Sequence, residues 1–210
     1  MADFHRDGGA GRGSVLRIAT AALLLLGPAA ASRAQAIKVG SFAKTTGGAP
    51  VAQVVPHGLG QTPKALILWT DGSTGEDAFG NGFLYAFGMS DGTTSSSVAT
   101  ASQNGVANNT ANRARRRVAS QALSIVSWTA VVPGGPALAE ASLQSWDAAN
   151  FTLNWTVNDA NAYVIHFIAI AGPGVSAKVV NWTMAAALGN RPVTGVGFKP
   201  DVYASALAKR

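Results

Sequence analysis

The sequence predicts an all-β protein: an antiparallel β-sandwich, jelly-roll or Ig-like, in one complete domain plus the start of a second copy. Three observations carry this. Beyond residue 36 the apolar runs are short and bounded by Gly, Thr, Ser and Asn, with few helix signals. The gaps between those runs are too short for the crossover helices of a parallel sheet. A phrase also occurs twice. Lys38-Val39-Gly40-Ser41-Phe42, leading to Gly60-Gln61-Thr62-Pro63-Lys64, returns as Lys178-Val179-Val180-Asn181-Trp182, leading to Gly197-Phe198-Lys199-Pro200. Lys38 and Lys178 stand 140 residues apart, the length of a domain and not of a solenoid unit. The expected organisation is a signal peptide over 1–36, a sandwich over 37–172, and a truncated second repeat over 173–210.

The elements follow in order. Arg6, Arg12 and Arg17 precede the apolar run Ile18 to Leu26, and Ala34-Gln35-Ala36 is a small-x-small cleavage site, so the chain is expected to be exported. The run is shorter than the roughly 20 residues a membrane span needs. Val39 to Phe42 reads as the first strand. Ala65 to Trp69 is wholly apolar and so central, with Pro63 placed where a missing N–H does no harm. Phe83 to Met89 is an aromatic-rich strand, Ser97 to Ser102 a weaker one, and Ala119 to Trp128 a fifth. Residues 104–117 read as a loop, because Asn and Gly crowd their first half. Ala139 to Trp146 alternates loosely. Phe151-Thr152-Leu153-Asn154-Trp155 alternates cleanly, which turns Phe151, Leu153 and Trp155 inward. Tyr163 to Ala171 is long and apolar and belongs inside a sheet. Trp69 and Trp155 read as core. Asp201 to Leu207 would open the second copy's equivalent of Ala65 to Trp69, and residues 177–210 should be poorly packed or laid along an edge of the first domain.

Composition limits the chemistry. The chain has no cysteine, so packing and not disulfides must hold it. After residue 36 there are 12 Lys+Arg and 8 Asp+Glu, a net charge of +4. Arg113, Arg115, Arg116 and Arg117 account for that excess, so the surface is not basic in general and nucleic acid is not an expected partner. Only His57 and His166 follow residue 36, too few for a zinc site or an evident acid–base pair.

Val39-Gly40-Ser41-Phe42, Gly60 to Ile67 and Asn150 to Trp155 together resemble an uncharacterised family of bacterial and phage-associated β-rich repeat proteins, whose repeats open on Gly-Phe-x-Pro-Lys. Gly197-Phe198-Lys199-Pro200 keeps the Phe, and Gly60-Gln61-Thr62-Pro63 lacks it. Asn150-Phe151-Thr152-Leu153, followed by Phe167-Ile168-Ala169-Ile170-Ala171-Gly172, is also similar to H-type-lectin-like sandwiches. These resemblances imply a fold; they imply no site residues.

Several motifs invite a function. Gly88-Met89-Ser90-Asp91-Gly92 matches a nucleophile elbow, but Thr93 to Ser97 is no helix, so a hairpin turn is the better reading and no catalytic residue is assigned. Asp71, Glu76 and Asp77 sit in one Gly-rich loop and form a candidate Ca²⁺ site, with no other cofactor expected. Arg113, Arg115, Arg116 and Arg117 could bind an anionic envelope polymer; their plainer role is a charged strand edge that blocks aggregation. Trp146, beside Asp147 near a strand end, is the candidate for stacking on a sugar. The expected function is therefore an exported, non-catalytic binding or structural module, secreted, periplasmic or at the cell surface. Its expected partner is a glycan or another envelope component, or a further copy of itself. The alternatives are a secreted hydrolase and a purely structural repeat of a surface or phage-like fibre.

Overall fold

The computed structural model describes residues 34–80, 82–102, 105, 113–127 and 137–206. The signal peptide's charged and apolar segments, Trp128, and residues 207–210 at the close of the expected second repeat lie outside them. Ten strands occur among the described residues: β1 Ala36–Ala43, β2 Val51–Pro56, β3 Pro63–Thr70, β4 Phe83–Ser90, β5 Ser95–Ser102, β6 Arg113–Val118, β7 Leu123–Val126, β8 Ala137–Trp146, β9 Asn150–Val157 and β10 Val164–Ala171. They form two sheets, a six-stranded one in the order β1-β10-β3-β4-β5-β6 and a four-stranded one in the order β2-β9-β8-β7. Every pairing is antiparallel. The sheets pack on one another, so the all-β sandwich expected from the sequence is the fold.

The connectivity has a simple logic. β1 pairs with β10 and β2 with β9, so the two ends of the domain are wound together. Between them, β3 to β6 and β7 to β9 run as meanders, each strand pairing with the next in sequence. Two strands went unrecognised in the sequence. β2 is short and lies between Pro50 and the Pro56-His57-Gly58 turn. β6 corrects the last part of the loop expected over 104–117, whose residues 104 and 106–112 lie outside the described ones: Arg113–Val118 is an edge strand, paired only with β5. A strand there needs little apolar content, because an edge has one neighbour.

The core lies between the sheets. Leu66 and Leu68 of β3, Ile165 and Phe167 of β10, and Leu84 of β4 meet Val55 of β2, Leu123 and Ile125 of β7, and Phe151, Leu153 and Trp155 of β9. Each fully buried side chain of this size contributes roughly 1.5–3 kcal/mol. Phe151 sits edge-on to Phe167 at 5.3 Å and to Phe42 at 6.0 Å, the arrangement that ring quadrupoles favour. Toward β4 and β5 the inward positions shrink to Ala86, Gly88, Ala99 and Ala101, facing Ala122, Ala139 and Ala141. There the sheets approach until backbone meets backbone: a methyl group on Gly88 would lie 2.7 Å from the carbonyl carbon of Ala122.

One expectation about the core is corrected. Trp69 is on the outer face of the six-stranded sheet, half-buried, with its ring stacked on His166 at 5.3 Å. β3 is apolar on both faces because both faces of this sheet are. Cross-strand partners at the outer positions include Val39 with Ile168, Ile67 with Met89, and Phe87 with Val98.

Residues 173–206 contain no strand. Their first turn of chain is nonetheless anchored. The Asp91 carboxylate accepts the Val179 N–H at 2.9 Å and stands 3.7 Å from the Lys178 ammonium. Ser96 donates to Asn181 Oδ1 at 2.8 Å. The segment then lies beside Phe87, Met89, Val98 and Arg117 of the outer face, while Met184, Leu188, Val202 and Tyr203 remain exposed. Burial opposes ionisation of Asp91, but the N–H groups of Val179, Thr94 and Thr93 and the charge of Lys178 outweigh it and lower its pKa. A lowered value means that the stabilisation is whole above the ordinary 3.8 and fades as pH falls below it. Asp91→Asn keeps the acceptor for the turn and removes the charge. Trypsin should then cut after Lys178 faster, with the sandwich's melting temperature nearly unchanged; equal cutting rates would show that Asp91 does not hold the segment.

Candidate functional site

The most concentrated polar chemistry of the described residues lies at one end of the sandwich, where β1 runs out and β9 turns toward β10. Lys44 follows β1 directly, and its backbone N–H donates to Tyr163 O at 2.8 Å. That bond pulls the side chain inward, and Lys44 is only 1% exposed. Its ammonium donates to Asn158 Oδ1 at 2.6 Å, to the Asp159 carbonyl at 2.8 Å and to Thr45 O at 3.2 Å. The rings of Trp155 and Tyr163 flank it, with centroids at 5.6 and 5.5 Å. A charge this far from water persists only when paired and fully hydrogen-bonded. The pairing comes from the Asp159 carboxylate, whose Oδ1 is 2.9 Å from the ammonium.

The neighbours are fixed in turn. Asn158 Nδ2 donates to Thr45 O at 2.9 Å and Gly47 O at 2.7 Å, which sets the amide with its oxygen toward Lys44. Asp159 Oδ2 accepts from Tyr163 Oη at 2.8 Å and from Asn161 Nδ2 at 2.5 Å. Asp159 Oδ1, though buried and beside the ammonium, is outside hydrogen-bonding geometry. Burial works against the Asp159 carboxylate, but the donors Asn161 and Tyr163 and the charge of Lys44 prevail and hold its pKa below the ordinary value. Burial, and then the bond to Asp159, push the Tyr163 hydroxyl well above its usual range. Gln53 of β2 completes the wall: its Oε1 accepts from Trp155 Nε1 and from Thr45 N. An amine, a carboxamide and a carboxylate thus converge where the amine is closed to solvent, so the chemistry available to it is with its own chain.

The residues singled out in the sequence fall elsewhere. The Ser90 motif is a turn: Ser90 Oγ accepts from Gly92 N and Ser95 Oγ and donates to Thr94 O. Asp91 Oδ1 caps Thr93 and Thr94, and Gly92 takes the positive φ of 85° that the hairpin demands. His57 is wholly buried, accepts Leu59 N at Nδ1 and therefore carries its proton on Nε2, toward Asp147 O at 3.1 Å. Asp71 Oδ1 caps Ser73. No group of three or more acidic or imidazole side chains able to hold a metal exists among the described residues, Asp71, Glu76 and Asp77 included.

The arginine cluster lies along β6. Arg113, Arg115 and Arg117 pair with Ser102, Thr100 and Val98. Arg116 departs from Arg117 and reaches Glu140 Oε1 of the opposite sheet at 2.7 Å, where Ser124 also donates. It therefore clamps the two sheets. Trp146 is half-buried against the core, with its ring laid over Gly92 so closely that no side chain could stand there. Asp147 beside it caps Ala149 and Asn150, and those N–H groups lower its pKa.

Sequence reasoning missed the Lys44 cluster. Asn158 is 114 residues from Lys44, and no local pattern joins them. The usable signal was a lone lysine between an apolar strand and a Gly-rich turn. Compared with family models, with curated proteins and with solved structures, the chain finds no match.

Proposed function

We propose that the chain is an exported, non-catalytic structural module, secreted, periplasmic or at the cell surface, which associates with further copies of itself through the outer face of the six-stranded sheet. One observation carries the reading: that face exposes large apolar side chains on β1 and on β4 and is only partly covered by the chain's own C-terminal segment. Ile37 is 68% exposed, Val39 59%, Phe83 53% and Tyr85 38%. Exposed apolar side chains of this kind are what protein interfaces draw on. The arginines of β6 guard one sheet edge against indiscriminate pairing, which leaves association to the face. The concentrated polar chemistry is inside the fold, out of a substrate's reach, which favours a structural role over a hydrolytic one. Glycan recognition is the weaker binding reading, since Trp146 spends much of its ring on Gly92.

Sedimentation velocity tests the proposal. The secreted protein should form dimers or larger species whose share grows with concentration, and Val39→Lys with Tyr85→Lys should return it to monomer without loss of the fold. A wild-type monomer at every concentration, together with glycan binding that disappears in Trp146→Ala, would overturn it in favour of the lectin reading.

A further inference from the structure

We propose that Lys44 and Asn158 become joined, once the chain has folded, by an intramolecular isopeptide bond, with Asp159 as the proton acceptor. The reactants are in place. The Lys44 nitrogen is 2.6 Å from Asn158 Oδ1, so it borders the carboxamide carbon. The amide is held still by Thr45 O and Gly47 O. Asp159 Oδ1 is buried, has no hydrogen bond of its own, and is 2.9 Å from the same nitrogen. A carboxylate oxygen with an unspent lone pair against an amine is a built proton acceptor, and Asp159's other oxygen is anchored by Tyr163 and Asn161.

The step balances without a co-reactant. Asp159 takes one proton from the Lys44 ammonium and frees the nitrogen's lone pair. Nζ attacks Cγ of Asn158, the Nζ–Cγ bond forms, and the carbonyl electron pair moves to Oδ1. Asp159 passes its proton to Nδ2 and takes another from Nζ. The carbonyl re-forms, the Cγ–Nδ2 bond breaks, and Nδ2 leaves as ammonia. The products are a secondary amide with one N–H, free ammonia, and Asp159 in its protonated form. No net charge is left in the pocket. The first proton transfer is uphill, because Asp159's donors favour its ionised form. The reaction need occur only once per molecule, however, and fixed neighbours in a closed site gain effective molarities of roughly 10⁵ M and upward. Trp155 and Tyr163 exclude the water that would otherwise hydrate the amine.

The chemistry suits this chain. It has no cysteine, and the bond would link the end of edge strand β1 to the turn between β9 and β10 without one.

Mass spectrometry of the full secreted chain under denaturing conditions decides the matter. The expected mass is one ammonia below that of the sequence, unaltered by thiol reductants. Tryptic digestion should give a branched peptide carrying residues 44 and 158, with no cleavage after Lys44. That peptide is diagnostic wherever the mature N-terminus begins. Asn158→Ala should show the full sequence mass, and Asp159→Ala should leave much of the chain unlinked. Two results would overturn the proposal: a wild-type mass equal to the sequence with ready cleavage after Lys44, or a deficit of one water with the branch at Asp159. Neither wild-type measurement depends on whether a variant folds.

Discussion

Lys44→Met should lower the stability of the domain by at least about 3 kcal/mol, read as a shift of the urea midpoint at unchanged slope. Methionine keeps an unbranched stem between Trp155 and Tyr163, so little packing is lost. The charge is what matters. Asp159 would keep a carboxylate whose side chain is only 17% exposed and lose the ammonium beside it, while Asn158 Oδ1, Asp159 O and Thr45 O each lose their donor. Removing one member of a buried pair costs about 3–5 kcal/mol; the lower end applies because Asp159 retains some contact with water. Adding Asp159→Asn to Lys44→Met should recover part of the loss, since removing both charges abolishes the unpaired one. Where the link inferred above has formed, Lys44 carries no ammonium, and the variant's loss is instead that of the cross-link, about 4.7 kcal/mol for a loop of about 100 residues. A change under about 1 kcal/mol would mean that the ammonium is not held where the structure places it.

Gly88→Ala should be the most damaging single-carbon change in the protein. Gly88 faces inward from β4 at the narrowest part of the sandwich. The new methyl would press on the Ala122 carbonyl, with the carbonyl carbon at 2.7 Å. A flexible side chain could swing aside from such an intrusion; a backbone carbonyl beside β7 cannot. Ala122 is fully buried, and its own N–H is tied to Ala141 O at 2.7 Å, so yielding would disturb the β7–β8 pairing as well. Overpacking of cores typically costs about 1–3 kcal/mol, and a clash with backbone belongs at the upper end or beyond it. Thermal melting checks this, with Gly75→Ala as the companion: nothing lies within 4 Å of a methyl at Gly75, so its effect should stay within about 0.5 kcal/mol. Similar melting temperatures for the two variants would contradict the close approach.

These two positions mark the boundary of what the sequence makes legible. Strands that bury a face announce themselves: Phe151, Leu153 and Trp155 alternate in the sequence and are all fully buried. The hairpin at Asp91-Gly92 is equally plain, because the turn chemistry is local. Edge strands are quieter. β6 carries four arginines in six residues, and charge reads as loop until a neighbouring strand is known to supply its hydrogen bonds. Trp69 misleads for the opposite reason: an apolar strand says that both faces are covered or sticky, without saying which face is core. The identity of residue 88 says little about why it is glycine, since the answer is the Ala122 carbonyl 34 positions later in the chain. The Lys44 cluster is hidden most deeply, because its meaning arises only when β1 is laid beside β10 and the β9–β10 turn closes over it.

The winding of the two ends has a mechanical consequence. Ala36 is paired with Ala171, and the pairing runs on to Ala43 with Val164, so the domain takes up the chain and lets it go at one corner. Tension between the two termini would therefore not shear the sheet. It would peel β1 away from β10 one residue pair after another, the path of least resistance for an antiparallel edge. The peeling front would travel the length of β1 and arrive at Lys44. There it meets the side chain that ties this strand to the opposite end of the sequence, and the domain changes from a zipper into a closed loop.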